Sequence, residues 1–213
     1  MKNDFRGKNQ RGEPLAISIL PTLMITAMGQ TNIQHTVGSS FQKSGDLIYL
    51  LNPGTMGLKA SELAQNYSSS HQHWATLPTL DPEKNIQFYN LYHQALSKKL
   101  IISGHDIAEG GVLVAIAEAM IGEGMGAEIS LSHLKDNHTQ LAFLFNESPG
   151  QFIVSLSPLH RQEFERHFQN RGFVFLGRVT DRPSLDLANI PGSPLALSIP
   201  LDQVIKHWKK EWR

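Results

Sequence analysis

Cysteine is absent from the 213 residues. Its absence excludes disulfides, thiolate zinc sites, iron–sulfur clusters and cysteine nucleophiles. Charge of one sign is lacking too, because 19 basic residues balance 19 acidic ones for a formal net charge of +0. Neither nucleic acid nor an anionic membrane is favoured as a partner by that balance. No apolar run approaches the roughly 18–20 residues needed to span a bilayer. The start, Met1-Lys2-Asn3-Asp4-Phe5-Arg6, is basic but carries no apolar stretch behind it, so it does not read as a secretory signal. A cytoplasmic protein with no membrane or nucleic-acid partner is the expectation. Internal repeats and low-complexity blocks are missing as well. What remains is ordinary globular material, 40% hydrophobic and 18% charged, enough for one large domain with a core.

The polar, glycine-containing residues 1–13 read as a disordered lead-in, and 14–213 as a single domain. Pro14 to Met28 predicts a strand, or two interrupted at Pro21. Asp46 to Leu51 predicts a strand ended by the turn Asn52-Pro53-Gly54, and Ser61 to Gln65 a short helix. A polar loop from Ser68 to Leu80 carries His71 and His73. Asp81-Pro82-Glu83 then combines an N-cap candidate, a proline at the first helical position and an acidic first turn. Phe88, Leu91, Tyr92, Ala95 and Leu96 follow at helical spacing.

Leu100-Ile101-Ile102 predicts a short strand running into a turn at Ser103-Gly104-His105-Asp106. A helix from Gly110 to Gly122 follows, with Val112, Ala115, Ile116, Ala119 and Met120 on one face. Strands are expected at Ala127–Leu131, Gln151–Leu156 and Phe173–Val179, with weaker ones near Leu185 and Leu195. Helices are expected from His160 to Asn170 and around Val204, Ile205 and Trp208. This order implies an α+β fold, a mostly antiparallel sheet packed with helices.

The segment His105-Asp106-Ile107-Ala108-Glu109-Gly110-Gly111 is the sharpest candidate for chemistry. A helix start exposes unpaired N–H groups and the positive dipole end, which suits phosphate. Gly110 and Gly111 permit close backbone approach. Asp106 and Glu109 have the oxygen chemistry to hold magnesium against phosphate, and His105 is a candidate base. The competing reading is a helix cap in which Asp106 or Glu109 accepts the first N–H groups. On pattern alone the cap is favoured. Glu147 and Ser148, in Phe145-Asn146-Glu147-Ser148-Pro149-Gly150, are a second ligand candidate beside the reading of an ordinary turn. His71 and His73 read as solvated loop residues. Lys206, Lys209, Lys210 and Arg213 read as a charged last helical turn. Asn52 to Gly57 lacks the lysine of a phosphate-cradling loop.

Taken in order, these segments resemble the C-terminal domain of the AIR-synthetase-like superfamily, and within it the phosphoribosylformylglycinamidine synthase family. Gly104 to Ala115 followed by Ala117-Glu118-Ala119-Met120 is similar to the family's "HD-x-S-[DE]-GG-L-x-V" segment and "AEM" helix. Gly45 to Leu51, the Leu63-Ala64-Gln65 helix, Leu144 to Ser148 and the tryptophan-containing tail from Ile199 to Trp212 resemble further family segments in the right order, over about residues 14–212. The Leu63-Ala64-Gln65 and Leu144-Phe145-Asn146-Glu147 segments favour this family over AIR synthetase and selenophosphate synthetase.

The resemblance implies the AIR-synthetase C-terminal-domain fold. It also implies a part in ATP- and glutamine-dependent amidation of formylglycinamide ribonucleotide in purine biosynthesis. Asp106 would be a ligand of Mg2+ in an auxiliary ATP/ADP site, with Ala108, Gly110 and Gly111 against the nucleotide. Ala108 stands where the family has a serine, and Pro149 where it has a glutamine. The other synthetase parts and the glutaminase would be partners, and the chain alone would not be a catalyst. A homo-oligomer, and a non-catalytic scaffold that binds a partner chain, are the alternatives.

Overall fold

A computed structural model describes residues 4–18, 24–67, 72–134, 137–190 and 196–209. The chain separates into two compact units, Met1–Asn32 and Ile33–Arg213. The first contains a hairpin of β1 (Phe5–Lys8) and β2 (Pro14–Ile17), with Phe5 opposite Ile17 and Lys8 opposite Pro14. Much of the segment expected to be disordered is therefore a strand and a turn. The reason is local turn chemistry: Asn9 Oδ1 accepts from the N–H groups of Arg11 at 2.9 Å and Glu13 at 3.0 Å. Gly12 supplies the positive φ of 79°. The strand expected over Pro14–Met28 is confined, among the described residues, to Pro14–Ile17. Pro21, His71, Leu195, Lys210 and Arg213 lie outside the described residues.

The second unit is built on a seven-stranded sheet in the order β4-β6-β3-β7-β5-β8-β9. Its strands are β3 (Leu47–Leu51), β4 (Ser103–Asp106), β5 (Gly126–Ser130), β6 (Phe152–Leu156), β7 (Phe173–Thr180), β8 (Ser184–Ala188) and β9 (Leu197–Pro200). Neighbours are antiparallel except β5 and β8, which run parallel. The mixed α+β, mostly antiparallel architecture is thus as expected.

The helices are α1 (Glu62–Asn66), α2 (Gln72–Ala75), α3 (Pro82–Ser97), α4 (Gly111–Ile121), α5 (Asn137–Leu144), α6 (Arg161–Phe168) and α7 (Leu201–Trp208). Alternation along β3 splits the apolar interior in two. Ile48 and Leu50 join Ile116, Ala119 and Met120 of α4 in one core. Tyr49 and Leu51 join Phe88 of α3 and Phe164 and Phe168 of α6 in the other. Asp81 starts α3 as expected, its side chain accepting from Lys84 N, with Pro82 in the first turn.

The apolar run Leu100–Ile102 is not a strand. Leu100 N donates to Ala95 O at 3.0 Å, closing α3. The strand is instead the polar Ser103–Asp106, paired to β6 with Ser103 opposite Ser155 and Asp106 opposite Phe152. Gly104 accordingly lies within a strand, not at a turn. A Cβ there would come 2.1 Å from the Tyr92 hydroxyl, so the glycine makes room for that ring. Burial, with a smaller contribution from Asp106, pushes the Tyr92 pKa up to about 12, so its hydroxyl keeps its proton at neutral pH.

Candidate functional site

The chain leaves β4 at Asp106 and enters α4 after four residues. Gly110 is the N-cap, in the left-handed region at φ 84°, and makes no side-chain cap bond. The anticipated cap by Asp106 or Glu109 is therefore not made. The acceptor comes from elsewhere: Glu147 Oε1 takes the Gly110 N–H at 2.8 Å. The same oxygen takes the N–H of Glu62, the first residue of α1, at 3.0 Å. One carboxylate oxygen thus serves the starts of two helices, where unpaired N–H groups and dipole ends favour negative charge.

Gly111 makes this approach possible. It is buried, has φ 74°, and a Cβ there would meet the Phe145 carbonyl carbon at 2.6 Å. The segment 145–148 lies directly against it. Asn146 is buried and its Oδ1 accepts from Ser148 N at 3.1 Å and from the Ser148 hydroxyl at 2.7 Å. That hydroxyl also lies 3.0 Å from Thr55 O. The structure therefore gathers Gly110, Gly111, Glu147 and Ser148, read as two separate candidates in the sequence, into one assembly.

Asp106, Ala108 and Glu109 are exposed. His105 is mostly buried and turns to α4 and its neighbours. Its Nδ1 lies 2.7 Å from Asp106 O and its Nε2 3.4 Å from Glu118 Oε2. The other oxygen of Glu118 accepts from Trp208 Nε1 of α7 at 3.2 Å. A histidine held between a carbonyl and a carboxylate that also fastens a neighbouring helix serves packing more directly than base catalysis. Among the described residues, no group of three or more His, Asp or Glu side chains is arranged to hold a metal ion.

Beside Ser148 opens a polar cavity of about 370 Å3, bordered by Asn52, Thr55, Thr79, Lys84 and Asn85. Asn52 Nδ2 donates to Asn85 Oδ1 at 3.2 Å and to Gly150 O at 2.9 Å. Lys84 is paired with Asp81 at 3.1 Å. Lys84 and Asn85 follow the Asp81-Pro82-Glu83 helix start and carry no site signal in the sequence. Nothing local in the sequence brings them to Ser148.

Residues 43–188 match the AIR synthase related protein, C-terminal domain family. The chain belongs to that family. The matched span of this AIR synthase C-terminal domain takes in both the Asp106–Gly111 segment and the Asn146–Ser148 turn.

The chain is 29% identical over 171 residues to the phosphoribosylformylglycinamidine synthase subunit PurL of Lactobacillus helveticus. The alignment covers 80% of this chain and 22% of that protein, so this AIR synthase C-terminal domain spans about a fifth of its relative. In fold it is similar to T. maritima PurL complexed with FGAR, with a TM-score of 0.64, 16% identity, and coverage of 81% of this chain and 30% of that one. T. maritima PurL complexed with ADP gives a TM-score of 0.60 at 16% identity, covering 81% and 27%.

Proposed function

We propose that this chain serves as an AIR-synthetase-type C-terminal domain of a phosphoribosylformylglycinamidine synthase, working in the cytoplasm beside the remaining synthetase and glutaminase domains. In that setting it would take part in the ATP- and glutamine-dependent amidation of formylglycinamide ribonucleotide. The similarity to a PurL subunit over most of the chain supports this reading.

The resemblance also implies a Mg-nucleotide at the start of α4, with Asp106 on the metal, Ala108, Gly110 and Gly111 beside the phosphates, and His105 and Glu109 flanking. The residues present do not fit such a site within this chain alone. Glu147 already occupies the Gly110 N–H, and a phosphate there would face its negative charge. Ala108 offers no hydroxyl. Among the described residues, Asp106 belongs to no group of three or more His, Asp or Glu side chains arranged to hold a metal ion. No catalytic step is therefore assigned to metal or nucleotide here.

The observation that carries the proposal is the double hydrogen bond of Glu147 to two helix starts. It neutralises the anion-binding end of α4 from inside the fold. The domain then contributes shape and an interface to the synthase, and its phosphate chemistry depends on groups from other domains. Isothermal titration of the chain with Mg-ADP tests this. Binding weaker than about 1 μM, or −8 kcal/mol, is expected. Tighter binding would overturn the structural role.

A further inference from the structure

The hairpin of β1 and β2 lies outside the matched residues 43–188, and its two strands differ in charge. β1, Phe5-Arg6-Gly7-Lys8, carries two cations. β2, Pro14-Leu15-Ala16-Ile17, carries no charge and is exposed along its whole length. After Glu13 the next charged side chain in the sequence is Lys43. Charged side chains, lysine above all, keep an open strand edge from pairing with another chain. β1 has that protection and β2 lacks it.

The two faces of the hairpin differ as well. Phe5 stands opposite Ile17 and Gly7 opposite Leu15. Side chains alternate along a strand, so Phe5, Leu15 and Ile17 share one face, and Arg6 and Lys8 take the other. The three apolar residues are 51%, 37% and 49% exposed. A two-stranded sheet is marginal by itself, and independent stability needs three or more strands with an apolar face.

The backbone tells which groups of β2 are open. Asn9 N donates to Glu13 O at 3.0 Å, in the same register as the strands. Hydrogen-bonded pairs recur at every second position of an antiparallel ladder. Leu15 and Ile17 therefore bond toward β1, while Pro14, Ala16 and Ser18 turn their backbone groups outward. Pro14 lacks an N–H, but its carbonyl remains an acceptor on that edge.

We propose that β2 pairs antiparallel with the β2 of a second copy of this chain, across a two-fold axis at Ala16. The product is a four-stranded sheet ordered β1-β2-β2-β1. Four backbone bonds join the copies, two between the Ala16 residues and one from each Ser18 N–H to the other Pro14 carbonyl. Leu15 of one copy lies opposite Ile17 of the other, in the closer, non-hydrogen-bonded position. Both apolar faces then lie on the same side of one sheet. The uncharged strands are inside and the cationic ones form both outer edges, which stops growth at two copies. This assembly is separate from the start of α4, and its test does not depend on the outcome with Mg-ADP.

Four backbone bonds make a weak, concentration-dependent dimer. Sedimentation equilibrium from about 10 μM to about 1 mM should show half-association within that range. The mean mass should rise from 23.7 kDa toward twice that value. Amide exchange at Ala16 and Ser18 should slow as concentration rises. Ala16→Pro removes the two bonds on the axis and none to β1, and Ala16→Glu sets two carboxylates opposite each other. Each should weaken association at least about tenfold. The chain has no cysteine, so single thiols report the register. Leu15→Cys mixed with Ile17→Cys should cross-link under mild oxidation faster than either variant alone. That pair keeps the test open if a change at Ala16 unfolds the hairpin. The proposal is overturned if the mass stays that of one chain throughout, if both Ala16 variants associate like wild type, or if the mixture cross-links no faster than its parts. Slow exchange of Ala16 and Ser18 at every concentration would overturn it too, since the edge would then be covered within one chain.

Discussion

Removing the carboxylate of Glu147 leaves the N–H groups of Gly110 and Glu62 without their acceptor. Hydrogen bonds to a charged group are worth more than neutral ones. Glu147→Ala should therefore destabilise the fold by about 2 kcal/mol, read as a lower urea midpoint with an unchanged slope. Asp106 makes the opposite case. Its side chain is 74% exposed, and its nearest ionic neighbour, His105 Nδ1, is 3.8 Å away. Asp106→Ala should stay within about 0.5 kcal/mol of wild type. Equal losses in the two variants would contradict this division of roles. The sequence displayed both carboxylates in suggestive motifs but could not rank them. Glu147 lies 37 residues from one of its donors and 85 from the other, and no local pattern encodes such a contact. Asp106 sits next to the helix start in sequence, yet the left-handed Gly110 and the Glu147 carboxylate make the cap without it.

Single elements are legible in the sequence where apolar residues recur at a helical period or form a short run. The α3 face and the α6 pair Phe164 and Phe168 follow from helical apolar spacing, and the β3, β6 and β7 strands from short apolar runs. Ser103–Asp106 could not be read that way, because its residues have little strand preference and adopt it by pairing with β6. The join between α6 and β3 yields a pH-dependent prediction. Tyr49 of β3 donates to Glu165 Oε1 of α6 at 2.7 Å. That bond, with help from Arg161 and against partial burial, holds the Glu165 carboxyl below its usual range. A carboxyl depressed in the fold stabilises it above the unfolded pKa and loses that contribution as pH falls through the folded value. Tyr49→Phe should cost about 1 kcal/mol at neutral pH. The difference from wild type should shrink once the pH drops below the unfolded value of 4.5. Paired urea titrations across that range would show it. A difference constant from neutral pH to well below 4.5 would mean that the hydroxyl, not the ionised carboxylate, carries the effect.

The second unit as a whole has two apolar interiors but a shared wall. β3 sits inside the sheet between β6 and β7 and alternates its side chains between the faces. Ile48 and Leu50 belong to the α4 side, and Tyr49 and Leu51 to the α3 and α6 side. β6 divides in the same manner, Ile153 to one core and Val154 and Leu156 to the other. Loss of packing on either face should therefore loosen strands that the opposite face also needs, so the two cores are expected to melt together. Cavity-forming changes at fully buried positions test the coupling. Phe164→Ala on one side should cost about 3–5 kcal/mol, and Ile116→Ala on the other about 2–5 kcal/mol. Both should lower the midpoint of one shared transition. Far-UV circular dichroism and near-UV signals should then trace the same curve in each variant. A variant in which one face unfolds at lower denaturant, while the other keeps the wild-type midpoint, would show that the sheet does not transmit stability between its faces.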